Sequence, residues 1–185
     1  VWSAERVKWI GRDRHFTFHP SLSVVRIKRL LRGESDVFEE TVGISEGDSF
    51  LDCTLGFAAD AITAAHIVGD KGQVVGLESE RRLAAVVAYG LQHFPVDEVP
   101  IQTAMKRVEV LATDHLSYLR ECSDGTFDVV YFDPMFREAR KHSPHMDPLR
   151  SLADPRPLTE EAVQHACRVA RKRVVLKEAR GSGEF

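Results

Sequence analysis

Cysteine is scarce in this 185-residue chain: Cys53, Cys122 and Cys167 are odd in number and far apart. They form no Cys-x-x-Cys pair, which excludes a disulfide framework and a zinc knuckle and points to a reducing, cytoplasmic compartment. No uncharged apolar run approaches the roughly 18 residues of a membrane span, and the Arg-rich first segment lacks the apolar centre of a secretion signal. Net charge is only −3, from 25 Lys and Arg against 28 Asp and Glu. A surface uniformly positive for indiscriminate nucleic-acid binding is thereby excluded. What is present, 43% hydrophobic and 29% charged residues, is enough for one domain with one buried core.

Charge is unevenly spread. Residues 1–32 hold eight Lys and Arg against Glu5 and Asp13, a balance of +6. Residues 33–130 stand at −12, from six basic and eighteen acidic residues, and residues 131–185 at +3. One face for a polyanion and another for a different ligand is the reading; solvated helix surfaces are the plain alternative. The chain opens at Val1 rather than Met and closes on Gly181-Ser182-Gly183-Glu184-Phe185, so both ends are expected to be cuts through a longer polypeptide.

Periodicity gives the organisation. A basic helical extension is expected over 1–47: Ser21 caps a helix with Leu22, Val25, Leu30 and Leu31 toward the core and Gly33 as its stop, and a shorter helix covers 37–42. From residue 48 onward, strands at 49–54, 73–78, 108–113, 127–133 and 172–178 alternate with helices at 58–68, 80–94, 101–107, 115–122 and 159–170. Such alternation means right-handed crossovers and an α/β fold, with a mainly parallel central sheet covered by helices on both faces in the Rossmann-like manner.

In such a sheet, ligands collect beyond the carboxyl ends of the strands, and here those ends are polar. The first runs Asp52-Cys53-Thr54-Leu55-Gly56-Phe57-Ala58-Ala59-Asp60. The Gly-x-Gly-x-x-Gly fingerprint that lets backbone approach a pyrophosphate is absent, and Asp52 and Asp60 would repel one, which disfavours a nicotinamide-dependent oxidoreductase. An uncharged or cationic ligand fits better. The second strand ends at Glu78-Ser79, 22 residues past Gly56, where an acid accepts both ribose hydroxyls of a nucleoside. The third ends at Thr113-Asp114-His115, over the adenine edge in nucleoside-binding versions of the fold. A lone Asp at a strand end is more often a helix cap; acids at successive strand ends reverse that preference.

The fourth strand carries the sharpest signal, Phe127-Asp128-Val129-Val130-Tyr131-Phe132-Asp133-Pro134-Met135-Phe136. It resembles the Asp/Asn-Pro-Pro-Tyr/Phe motif of S-adenosylmethionine-dependent methyltransferases that act on exocyclic amino groups, with Met135 in place of the second proline. The chemistry accounts for these residue types. An amino nitrogen conjugated to a ring is a poor nucleophile; the Asp133 carboxylate and the Pro134 carbonyl bond its hydrogens and localise its lone pair, while Phe136 stacks on the flipped base. An ordinary strand end with a turn-forming Asp-Pro is the alternative. Residues 137–157 include Arg137, Arg140, Lys141, His142 and His145 and four prolines, and read as a substrate-gripping loop beside the cleft, with Met135 at its root. The two histidines lack a partnering Cys or acidic cluster, so no metal is expected. Lys177-Glu178 follows the last apolar strand and either borders the same pocket or forms a surface ion pair.

Asp52-x-Thr54-x-Gly56-x-x-x-Asp60, Glu78 and the run from Asp128 to Phe136 together resemble the class I methyltransferases of the RsmJ type, bacterial enzymes that methylate guanine N2 in small-subunit ribosomal RNA. The resemblance spans about residues 48–155 and implies S-adenosylmethionine as cofactor. It implies cofactor contacts at Asp52, Thr54, Gly56, Ala59, Asp60, Glu78, Ser79, Asp114, His115 and Asp133, and ribosomal RNA or the small ribosomal subunit as partner. Ala59 and Ser79 stand where that family usually has basic residues. A methyltransferase of small molecules or proteins and a non-catalytic nucleoside-binding module are the competing readings.

Overall fold

The computed structural model describes residues 8–10, 15–134 and 157–177. Met135, Phe136, Arg137, Arg140, Lys141, both histidines of the loop and Glu178 lie outside them. The chain enters through a hairpin, β1 (Lys8–Ile10) paired antiparallel with β2 (His15–Thr17). Two helices follow, α1 (Ser21–Leu30) and α2 (Val37–Val42). Then come β3 (Ser49–Asp52), α3 (Ala59–Val68), β4 (Gln73–Leu77), α4 (Arg81–His93), α5 (Val99–Arg107), β5 (Val108–Leu111), α6 (His115–Glu121), β6 (Phe127–Phe132), α7 (Glu160–Val169) and β7 (Ala170–Leu176).

β3 to β7 form one parallel sheet in the order β5-β4-β3-β6-β7. The order reverses between β3 and β6, so the crevice between their carboxyl ends is where this architecture receives a ligand. Both central strands are buried along their whole length, as strands covered on both faces must be. From Val129 onward β6 alternates: Val129 and Tyr131 join a core with α1, α3, α4 and α5 residues, while Val130 and Phe132 join a second core with Leu119, Ala166 and Val169. Each fully buried Val, Leu or Phe contributes about 1.5–3 kcal/mol, so the two apolar faces hold the sheet between its helices. At the opposite end from the crevice, Asp128 accepts from the Ser49 backbone N–H at 2.9 Å and from Arg171 Nη2 at 2.8 Å, tying the starts of β3, β6 and β7. Among the described residues no helix is long and apolar enough to cross a membrane.

Several expectations need correction. The sequence pattern predicts no strand before residue 49, yet residues 8–10 and 15–17 pair. α1 begins at Ser21 itself, so its cap position falls on Pro20, which has no side-chain acceptor. The apolar face assigned to α1 is also wrong: Leu22, Val25 and Leu31 are 48%, 56% and 52% exposed, whereas Ser23 and Ile27 are fully buried. The face turned inward carries Ser23 and Ile27, and on it Arg26 meets Asp60 of α3. α5 begins two residues before the expected start, with Pro100 in its first turn, where a missing N–H costs nothing. β7 begins at Ala170 and ends at Leu176.

Candidate active site

The site is built from the strand ends inward. β3 delivers Asp52, which is buried and accepts from the Thr54 backbone N–H at 3.0 Å. Thr54 Oγ1 in turn accepts from the Asp133 backbone N–H at 2.6 Å, so the end of β3 grips the end of β6 at the point where the strand order reverses. The turn into α3 needs two left-handed residues, Gly56 at φ 51° and Ala58 at φ 63°. For Ala58 that conformation costs on the order of 1 kcal/mol. Leu55 lies across β4, where a Cβ on Gly76 would come within 2.3 Å of its Cδ1; glycine at 76 is what lets the turn approach. The close approach brings Gly56 to Glu78, whose Oε2 accepts from the Gly56 N–H at 3.2 Å while Oε1 accepts from the Glu80 N–H at 2.9 Å. Burial raises the Glu78 carboxyl above its ordinary value, against the pull of those two N–H groups.

Asp60 is the hub. It is buried, and both its oxygens are engaged within the chain: Oδ1 by Arg26 Nη1, Oδ2 by the Tyr131 hydroxyl at 2.7 Å and by Lys177 Nζ at 3.1 Å. Arg26 also faces Asp36 at 3.8 Å and lies over the Phe38 ring. Lys177 reaches on to Asp133 Oδ2 at 2.6 Å. Burial would raise Asp60, but Lys177, the Tyr131 hydroxyl and Arg26 together hold it below the usual carboxylate range. Burial and the neighbouring acids push the Tyr131 hydroxyl up, so it stays protonated and donates. For Asp133, burial outweighs Lys177 and its carboxyl is raised.

Burial, with Asp60 and Asp133 as neighbours, pushes Asp52 up to about 8. The folded state therefore holds a proton that the unfolded chain releases near pH 4, and stability contributed by neutral Asp52 is lost as pH rises toward 8. Asp52→Asn keeps the acceptor for Thr54 and removes this loss. In urea unfolding it is expected to match the wild type near pH 4 and exceed it by on the order of 2–5 kcal/mol at pH 8.5; a constant difference across that range would contradict the assignment.

Thus the structure gathers Asp52, Thr54, Gly56, Asp60, Glu78 and Asp133 at one crevice. Ser79 follows Glu78 at the same strand end, and Ala59 opens α3. Asp114 also caps α6, accepting from the Ser117 N–H at 3.1 Å. His115 beside it meets the Phe132 ring edge-on at 5.8 Å. Lys177 stands at the crevice, its Nζ on Asp60 and Asp133, while its sequence partner Glu178 lies outside the described residues. Arg26 and Tyr131 were missed. The signal for Tyr131 was a lone phenol in a strand otherwise apolar from Val129 to Phe132, because a buried hydroxyl needs a partner. Arg26 had no local signal, since its partner is 34 residues away.

The rim gathers four carboxyl groups, of which burial keeps Asp52 protonated at neutral pH, beside two cations, Arg26 and Lys177. Such a rim suits a cationic ligand with hydroxyl groups and disfavours a pyrophosphate. Glu78→Ala is expected to weaken S-adenosylhomocysteine binding by about 2–4 kcal/mol, roughly 30- to 1000-fold; an unchanged dissociation constant in titration calorimetry would count against Glu78 as a ligand.

A family model described as "Putative SAM-dependent methyltransferase" matches residues 19–183. YpiP, an uncharacterized protein of Bacillus subtilis, is 43% identical over 99% of this chain and 75% of its own length. Ribosomal RNA small subunit methyltransferase J of Hydrogenovibrio crunogenus is 28% identical over 81% of the chain and 55% of its own length. The protein of that name from Psychrobacter cryohalolentis is 27% identical over 69% of the chain and 48% of its own length. The chain therefore spans about half the length of these two relatives. Among solved structures, a SAM-dependent methyltransferase of Neisseria gonorrhoeae superposes with a TM-score of 0.59 at 16% identity, over 90% of this chain and 64% of that one, which is a likeness of fold.

Proposed function

The chain belongs to the family of S-adenosylmethionine-dependent methyltransferases, and from that premise we propose that it methylates the exocyclic amino group of a nucleic-acid base, guanine N2 of ribosomal RNA. S-adenosylmethionine is the cofactor, and it supplies an electrophilic methyl group on a sulfonium. The residues present fit it: Glu78 would accept from the ribose hydroxyls, Asp52 and the Thr54–Asp60 turn would line its amino-acid end, and Asp114 and His115 would border the base.

One observation carries the reading. Asp133 stands at the crevice where the strand order reverses, its backbone N–H fixed by Thr54 Oγ1 at 2.6 Å, and Pro134 follows it directly. A carboxylate so held accepts one hydrogen of an incoming amine, and the Pro134 carbonyl accepts the other. With both hydrogens bonded, the nitrogen lone pair turns from the ring toward the methyl group. As the N–C bond forms and the S–C bond breaks, the amine becomes cationic, and Asp133 is placed to take the proton it must shed. Phe136 stacking on the extruded base and Arg137, Arg140 and Lys141 gripping the backbone complete the proposal, with Met135 beside the base. Support for ribosomal RNA comes from the two relatives that carry that substrate in their names and from the basic balance of residues 1–32 and 131–185.

The test is transfer of labelled methyl from S-adenosylmethionine to small-subunit ribosomal RNA, and to the assembled small subunit, followed by digestion to nucleosides. N2-methylguanosine, formed in amounts that fall steeply with added salt, is the expected product. Label in another base would overturn the guanine assignment, and label confined to proteins or small molecules would overturn RNA as substrate.

A further inference from the structure

We propose that Lys177 is a positioning residue for methyl transfer: anchored by Asp60, its ammonium grips one oxygen of Asp133 and leaves the other to face the incoming amine. This rests on the reading of Asp133 given above.

The geometry is specific. Lys177 lies one residue past β7, and its backbone N–H donates to the Phe132 carbonyl at 2.8 Å, which sets its Cα beside the end of β6. Its Nζ then spans Asp60 Oδ2 at 3.1 Å and Asp133 Oδ2 at 2.6 Å. A carboxylate at the end of an Asp side chain turns with little resistance about its last bond. Here Thr54 fixes the backbone of Asp133, and Lys177 fixes Oδ2. Oδ1 is then oriented before any substrate arrives, and a pre-set acceptor loses less on binding than a mobile one.

Lys177 also balances charge. The groups facing Asp133 are Lys177 from the end of β7, Asp52 from β3, Asp60 from α3, Arg26 from α1 and Tyr131 from β6 itself. Asp52 is neutral at pH 7, being pushed up to about 8, and Tyr131 keeps its proton. Two carboxylates, Asp60 and Asp133, therefore meet two cations, Arg26 and Lys177. Without Lys177 the crevice holds one surplus negative charge, and the raised carboxyl of Asp133 takes up a proton more readily. A protonated Asp133 would accept poorly from the amine. The Lys177 side chain is 44% exposed, so its replacement leaves the apolar cores intact.

The experiment compares wild type, Lys177→Met and Lys177→Arg between pH 5.5 and 9. It measures kcat, KM for RNA, S-adenosylhomocysteine affinity and the titration of the Asp133 carboxyl carbon by NMR in the ligand-free protein. Lys177→Met is expected to lose about tenfold or more in kcat at pH 7, with the acid limb of the rate profile and the Asp133 titration both moved up by roughly one unit. Cofactor affinity and KM should stay within about threefold, and Lys177→Arg should restore most of the rate because a guanidinium still bridges two carboxylates. An unchanged profile and an unchanged Asp133 titration in Lys177→Met would overturn the proposal, as would loss of cofactor affinity in step with kcat. A wild type that methylates no amine overturns the functional reading itself and this role with it. A wild type that does, matched by Lys177→Met in rate and titration, overturns the role of Lys177 alone.

Discussion

Asp133→Ala is expected to lower kcat by about a hundred- to a thousandfold or more, the range seen when one preorganised polar contact to a reacting group is removed. Affinity for S-adenosylhomocysteine should fall far less. The asymmetry follows from what the carboxylate touches. In this account Asp133 bonds the amine whose lone pair must be freed, while Glu78 holds the nucleoside some distance along the crevice at the end of β4. Removing the carboxylate leaves Lys177 with Asp60 as partner and leaves the Thr54 bond to the backbone of residue 133 intact. The variant should therefore fold. Single-turnover transfer to RNA, with the dissociation constant of S-adenosylhomocysteine measured beside it, separates the two effects. Retention of full turnover would reject the role of Asp133, and parallel loss of turnover and cofactor affinity would recast it as a cofactor ligand.

Asp60→Ala should produce the largest loss of stability. Three donors converge on this one buried carboxylate, from α1, β6 and the end of β7. Its removal leaves the Tyr131 hydroxyl without its acceptor in the core and leaves Arg26 with the longer contact to Asp36 and the Phe38 ring. Breaking a buried ion pair from one side costs about 3–5 kcal/mol, which for a chain of this length lowers Tm by roughly 6–20 °C. The effect depends on pH in a stated direction. Because Asp60 is held below the ordinary carboxylate range, its ionised contribution is complete at neutral pH and fades as pH falls through its folded value. Wild type and variant should thus converge in strong acid. A loss under about 1 kcal/mol at pH 7 in urea unfolding, well below the cost of a broken buried pair, would show that α1 does not depend on Asp60 for its place.

The parallel sheet was legible because its evidence is local. β3 and β6 are short apolar runs that end in an acid, and the helices between strands stop at Gly69 or before Pro95. The same locality made the crevice legible: Asp52 ends β3, Glu78 and Asp133 directly follow β4 and β6, and parallel strands bring their carboxyl ends to one edge. What escaped was long-range. Arg26 and Asp60 are 34 residues apart, and Lys177 and Asp60 are 117 apart; no periodicity records such a pairing. The misjudged face of α1 has the same origin. Leu22, Val25 and Leu31 trace a plausible apolar stripe, but Arg26 and the buried Ser23 and Ile27 decide the rotation. Asp114 shows that a helix cap and a candidate ligand can be the same residue: it accepts from the Ser117 N–H, a role the strand-end position alone did not reveal.

The most direct measurement of the central claim is a crystal structure of the chain with S-adenosylhomocysteine. The account predicts the ligand across the carboxyl ends of β3 and β4, ribose hydroxyls on Glu78, and its sulfur facing the crevice beside Asp133 and Lys177. A ligand seated elsewhere, or one that leaves Glu78 touching only Gly56 and Glu80, would contradict it.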